Sequence, residues 1–173
     1  MQERTLDLLI IGGGITGAGV ALQAAASGLE TGLIEMQDFA EGTSSRSTKL
    51  VHGGLRYLKQ FDVEVVSDTV SERAVVQQIA PHIPKPDPML LPVYEEEGAT
   101  FSLFRLKVAM DLYDLLAGVN NTPAANKVLS KEEVLEREPE LKKEGLVGGG
   151  VYLDFRNNDA RLVIETIKRA NQD

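Results

Sequence analysis

Near the N-terminus an apolar run from Leu6 to Ile11 meets Gly12, Gly14 and Gly17, spaced as G-x-G-x-x-G, and few patterns restrict a fold more tightly. Each glycine has its own task in a strand-to-helix turn. Gly12 makes the turn tight, Gly14 lets the backbone approach a pyrophosphate, and Gly17 lets the helix pack closely on the strand. The apolar run reads as a strand buried on both faces of a parallel sheet. Apolar residues then recur at Ile15, Ala18, Leu22 and Ala25, and Gly28 stands where a helix C-terminal cap belongs, so a helix follows. Thr31 to Glu35 reads as a second buried strand, which completes a strand-helix-strand unit of about thirty residues with a right-handed connection. The fold class is α/β, a Rossmann-like parallel sheet with helices.

At such a junction phosphates sit at the helix N-terminus, where unpaired N–H groups and the helix dipole favour negative charge. The turn residues Gly12, Gly13, Gly14, Ile15, Thr16 and Gly17 are therefore candidate cofactor contacts. Glu35, with Met36 after it, ends the second strand at the position of the carboxylate that accepts hydrogen bonds from the adenosine ribose hydroxyls. Its charge disfavours a 2′-phosphate and hence NADP. FAD and NAD share the ADP half, so the fingerprint alone leaves both open.

Composition narrows the class of function. Hydrophobic residues at 43% and charged residues at 25% are the balance of a globular chain. A net charge of 18 − 26 = −8 argues against nucleic-acid binding and requires any anionic ligand to be held by local geometry. The absence of cysteine removes disulfides, thiolate metal sites and redox thiol pairs, so redox chemistry needs a bound cofactor. Metal-ligand clustering is absent from the sequence. The glycine-interrupted N-terminal apolar stretch fits neither a cleavable leader nor a bilayer span of ~20 residues, which makes the cytoplasm the expected location and membrane association unexpected for this segment. A homo-oligomeric assembly stays open.

Further along, Val63, Val66, Val70 and Ala74 predict a helix ending before Pro81, and the prolines at 81, 84, 86 and 88 suggest a lobe boundary. Met89 to Tyr94 predicts a strand, and Leu106, Met110, Tyr113 and Ala117 predict a helix ended by Gly118. Glu95 to Glu97 read as a solvated turn. Ser130 and Glu133 have capping-box spacing, with Leu129 and Val134 as a hydrophobic staple, so a helix should begin near Lys131. Val151 to Phe155 predicts a strand, and Asp159 is placed to cap a last helix that runs to the end of the sequence. The expected division is a first segment of the cofactor domain over residues 1–80, part of a second lobe over 81–157, and a helix returning to the first domain over 158–173. No internal repeat or low-complexity tract interrupts it.

The run E-G-T-S-S-R-S-T-K-L-V-H-G-G-L-R-Y-L from Glu41 to Leu58 supplies hydroxyls, cations, an imidazole and bare backbone, and reads as an ordered loop entering a short helix. A cofactor as long as a flavin dinucleotide needs such a second clamp. This run, L-I-I-G-G-G-I-T-G-A-G-V-A before it and D-F-R-N-N-D-A-R-L-V after it resemble the FAD-dependent glycerol-3-phosphate dehydrogenase and oxidase family. The resemblance covers the whole chain, and H-G-G-x-R-Y-L is its most specific block.

The resemblance implies a glutathione-reductase-type FAD-binding domain and the start of an α+β substrate-binding lobe. It matches Gly12, Gly14, Gly17 and Glu35 to ADP-binding positions, Thr43, Ser44, Ser45, Lys49, Gly53 and Gly54 to a second FAD-contacting loop, and His52 and Arg56 to the flavin face. Thr48 stands where relatives often carry serine and keeps the hydroxyl there. The implied reaction oxidises sn-glycerol 3-phosphate to dihydroxyacetone phosphate, with oxygen or a quinone as the final acceptor. The family extends past this C-terminus, so the expectation is an N-terminal portion that lacks further substrate-binding cations. A cofactor-binding module without turnover is the corresponding alternative, and a nicotinamide dehydrogenase is a second.

Elementary chemistry supports the same roles. Oxidation of a secondary alcohol removes a hydride from carbon and a proton from oxygen, and a base must take the proton. His52 suits that task, since an unperturbed imidazole titrates at about pH 6.5. Arg56 suits a phosphate because its planar fork gives paired, charge-assisted hydrogen bonds. Alternatives for single residues are plainer: Arg56 pairing with a surface carboxylate, Lys49 solvating its loop, Tyr57 in the core and His82 structural.

Overall fold

In a computed structural model, the structure describes residues 5–60, 62–95 and 102–172. Glu96 and Glu97 of the acidic run lie outside the described residues. The chain forms two compact units, one of residues 1–50 and 157–173 and the other of residues 51–156.

In the first unit, β1 (Leu8–Ile11) pairs in parallel with β2 (Thr31–Ile34), from Leu8 opposite Thr31 to Ile11 opposite Ile34. Between them runs α1 (Ile15–Ala26), followed by Gly28 at φ +79°, a left-handed conformation that glycine adopts without a steric penalty. α1 presents small residues to the last helix, α5 (Asp159–Ala170). Ala18, Ala40 and Val163 are fully buried together, and the alanines let the two helices approach closely.

The expected burial of the first strand on both faces does not hold. Ile10 is buried beneath α1, while Leu9 and Ile11 on the opposite face are 52% and 81% exposed. Helix covers only one side of this two-stranded sheet within the described chain. α5 also differs in detail from its sequence reading. Its N-cap is Asn158, whose side chain accepts the Arg161 N–H at 3.1 Å, and it ends at Ala170 with Asn171 as its cap. Asp159 lies in the first turn and accepts from Asn157 Nδ2 at 2.7 Å.

The second unit is built on a mostly antiparallel sheet whose middle strand is β6 (Leu146–Arg156), flanked by β3 (Leu50–Val51) and β4 (Lys85–Tyr94), with β5 (Lys127–Leu129) also pairing to β6. β4 begins at Lys85, earlier than Met89, and contains Pro86, Pro88 and Pro92. These prolines are tolerated because β4 is an edge strand. They fall at every second residue or multiples of it, so the missing N–H always belongs to the side facing away from β6. β6 likewise starts before Val151 and takes in Gly148, Gly149 and Gly150. A Cβ at Gly150 would press into Met110 Sδ and Leu106 Cδ2, so the glycine lets a helix lie directly on the strand.

That helix is α3 (Leu103–Leu116), and with α2 (Val63–Ile79) it builds the main core from Leu55, Leu58, Val66, Val70, Val93, Leu106, Met110 and Tyr113. Full burial of side chains such as Leu106 and Met110 contributes roughly 1.5–3 kcal/mol each. α2 packs into this core, and the two units divide at residues 50/51 and 156/157. The buried face of α2 continues from Val66 and Val70 to Arg73, leaving Ala74 exposed. A second cluster, Leu129, Val134 and Leu146, surrounds α4 (Lys131–Arg137), whose capping box closes as expected.

Candidate functional site

The turn after β1 follows from its glycines. Gly12 takes φ +110°, and a Cβ at Gly17 would fall inside van der Waals distance of the Gly12 carbonyl oxygen. Gly13 is held on both sides: its N–H donates to Glu35 Oε2 at 2.7 Å, and its carbonyl accepts the Ala40 N–H at 3.0 Å. Glu35 Oε1 also accepts from Gln37 N–H at 3.0 Å. These backbone donors, Gly13 first, hold the Glu35 carboxyl below its ordinary range, so it is ionised near neutrality.

The loop after β2 returns to the helix start. Thr43–Ser45 forms a short 3-10 turn, and Ser44 Oγ accepts the Ile15 N–H at 2.9 Å. This bond satisfies one of the unpaired donors that every helix N-terminus carries. The amides of Thr16 and Gly17, in the same first turn, have no carbonyl one turn earlier within the helix. Gly14, Glu35, Met36, Gln37, Glu41, Gly42, Thr43, Ser44 and Arg46 line an open cleft of about 290 Å³. Gly14, Glu35, Met36, Thr43 and Ser44 from the sequence candidates meet there. Gln37 and Arg46 join them without having been singled out, Arg46 paired with Glu41 at 2.5 Å. Their proximity to Glu35 and Ser44 in sequence was the available signal.

The remaining loop candidates have other surroundings. Lys49 takes φ +61°, its amine donates to the Ser45 carbonyl, and it lies 3.7 Å from Asp159 Oδ2. Its carbonyl accepts the Asn157 N–H at 2.7 Å, so Lys49 fastens the loop to the start of α5. Ser47 Oγ bonds Asp159 as well. Thr48 is exposed and Ser45 half-buried.

His52, Gly53, Gly54 and Arg56 belong to the second unit. His52 and Arg56 are both exposed, with no hydrogen bond or ion pair among the described residues. Arg56 sits in a 3-10 helix over Leu55–Gln60, and Gly54 takes φ +74° immediately before it. Tyr57 is 38% exposed and so is not a core residue, and His82 is exposed.

Beneath Gly53 lies a polar cluster that the sequence reading missed. The Gly53 N–H points to Tyr113 Oη at 3.1 Å and Asp154 Oδ1 at 3.2 Å, and one Arg73 nitrogen reaches the same two oxygens at 2.6 and 2.9 Å. Arg73, Tyr113 and Asp154 are all buried, and the Arg73 guanidinium stacks 4.6 Å from the Phe155 ring centre. Burial raises the Asp154 carboxyl, with Arg73 opposing the shift, and burial likewise raises the Tyr113 phenol. Tyr152, edge-on to Tyr113, is pushed up to about 12 by burial. The signal in the sequence was a lone cation continuing the Val66 and Val70 stripe, and a lone carboxylate inside an apolar strand.

A strand-turn-helix-strand with a phosphate-ready helix start and an acidic residue ending the second strand defines a dinucleotide-binding protein. Residues 7–173 match the FAD dependent oxidoreductase family, and the chain belongs to that family. It is 95% identical over 173 residues to the alpha-glycerophosphate oxidase of Streptococcus pneumoniae and 78% identical over 171 residues to that of Enterococcus casseliflavus. These alignments cover 100% and 99% of the chain and 28% of the length of each relative. Among solved structures, the Bacillus halodurans glycerol-3-phosphate dehydrogenase complexed with FAD is 42% identical, with a TM-score of 0.68 over 99% of this chain and 26% of that one. The chain thus spans little more than a quarter of these relatives. Among the described residues no helix is long and apolar enough to cross a membrane, and no acidic, histidine or cysteine cluster could hold a metal ion.

Proposed function

We propose that this chain forms the FAD-cradling part of a glycerol-3-phosphate oxidase, which converts sn-glycerol 3-phosphate and oxygen to dihydroxyacetone phosphate and hydrogen peroxide. The observation that carries the cofactor half is the meeting of Gly14, Glu35 and Ser44 in one cleft at the start of α1. The substrate half is supported by the 95% identity to a named alpha-glycerophosphate oxidase.

The residues fit an ADP group. Gly14 leaves the cleft open where a side chain would press on Ser44 Oγ, the ionised Glu35 offers acceptors to ribose hydroxyls, and the α1 amides and the Thr43 and Ser44 hydroxyls suit a pyrophosphate. Exposed Met36 offers an apolar surface on the cleft lip. When bound, FAD would supply the two-electron acceptor for the substrate hydride, with oxygen as its reoxidant. His52 takes the hydroxyl proton, Arg56 binds the phosphate, and Thr48 contributes a hydroxyl. The same reading places the protein in the cytoplasm.

The test is anaerobic addition of glycerol 3-phosphate to the full-length flavoprotein, followed by admission of air. Bleaching of the flavin and stoichiometric peroxide are expected. A flavin that bleaches but reoxidises only with a quinone would overturn the oxygen assignment, and one that never bleaches would overturn the substrate.

A further inference from the structure

Two of the residues proposed for chemistry, His52 and Arg56, flank a backbone that is anchored from below. A buried ion pair such as Arg73–Asp154 is a weak source of stability, because desolvation offsets most of the attraction. Its arrangement points elsewhere. Arg73, Tyr113 and Asp154 come from α2, α3 and β6; Tyr113 Oη and Asp154 Oδ1 converge on a single amide, that of Gly53, and Arg73 donates to both of those oxygens from beneath. The Gly53 carbonyl is held too: Thr69 Oγ1 lies 3.0 Å from it, sharing its proton with the Val65 carbonyl at 2.7 Å. A Cβ at Gly53 would collide with Tyr113 and Val70, so the peptide sits directly on the cluster. Both sides of Gly53 are therefore fixed, and with them the direction in which the chain presents His52 before it and Arg56 after Gly54.

We infer that Tyr113, Asp154, Arg73 and Thr69 are positioning residues, which clamp the Gly53 peptide so that the exposed His52 imidazole is held in one place for proton transfer. This rests on the proposed role of His52. Preorganisation of this kind matters because a misplacement of about 1 Å can cost on the order of a hundredfold in rate.

Tyr113→Phe in the full-length flavoprotein removes one oxygen and keeps the ring. The expected result is normal flavin content, kcat lowered about tenfold or more with KM changed less than about twofold, and a displaced acid limb in the pH profile of kcat/KM. The decisive measurement is coupling. If the clamp acts through His52, His52→Asn with Tyr113→Phe should be no slower than His52→Asn alone. Rates that multiply, or wild-type kcat in Tyr113→Phe, overturn the clamp while leaving the function standing. Wild-type turnover in His52→Asn overturns the base itself, and the clamp with it. Should Tyr113→Phe fail to retain flavin, Thr69→Val is subjected to the same cycle, and Thr69→Ser should restore the lost rate; failure of that rescue overturns the clamp.

Discussion

The Glu35 carboxylate and the Gly13 amide meet at 2.7 Å, which joins the end of the second strand to the turn that follows the first. One side chain thereby serves the turn's geometry and faces the cleft that Gly14 and Ser44 complete. Removing it should damage both functions together.

Glu35→Ala is expected to weaken FAD binding by about tenfold to a hundredfold, since the ribose hydroxyls lose an ionised acceptor and the turn loses its bond to the Gly13 amide. Recovery of flavin fluorescence on dilution of the holoprotein measures the loss. Unchanged release would remove Glu35 from the cofactor site.

Glu35 also carries a pH dependence. Its folded-state value is depressed below the ordinary 4.5, so its contribution to stability is complete above that value and disappears as pH falls through the lower folded one. Thermal melts of the wild type from pH 6 downward should therefore converge with those of Glu35→Gln at the acid end of the range. A gap between the two that widened on acidification would contradict the assigned hydrogen bonds.

Ser44→Ala removes the hydroxyl that accepts from Ile15 at the start of α1. By analogy with lost helix caps the protein should be destabilised by about 1 kcal/mol, with weaker flavin retention as a second consequence. A urea titration of the apoprotein separates the two effects, because it reads stability without the cofactor.

The dinucleotide turn was legible in sequence because its requirements are local. Gly12, Gly17 and Glu35 are forced by backbone conformation, close approach and strand length, which leave few other solutions. The α3 stripe was legible for the same reason, since Leu106, Met110 and Tyr113 share one helical face and are all fully buried. The extent of β4 was not, because Pro86 and Pro88 signal a break unless the strand is known to lie on an edge. Gly148 to Gly150 hid the start of β6, because their role depends on Met110 and Leu106 of a distant helix. Which core α2 joins was hidden for a related reason: only the packing of Val66 and Val70 against α3 shows it.

The polar cluster was the least legible part, and it supports the sharpest stability test. Arg73→Met leaves Asp154 buried without its cation, a change that costs about 3–5 kcal/mol in comparable sites. Burial already raises this carboxyl. A raised folded value means that the penalty of the bare carboxylate is absent below its unfolded value, near 3.8, and grows as pH rises through the folded one. The deficit of Arg73→Met should therefore shrink on acidification because the variant regains stability there, whereas at Glu35 the gap closes because the wild type loses it. Adding Asp154→Asn removes the second charge and should recover most of the lost stability near neutrality, read as the urea midpoint. Turnover should stay low in that neutral pair, because restored stability does not rebuild the ionic clamp on Gly53. Recovery of both together would show that the cluster only holds the fold.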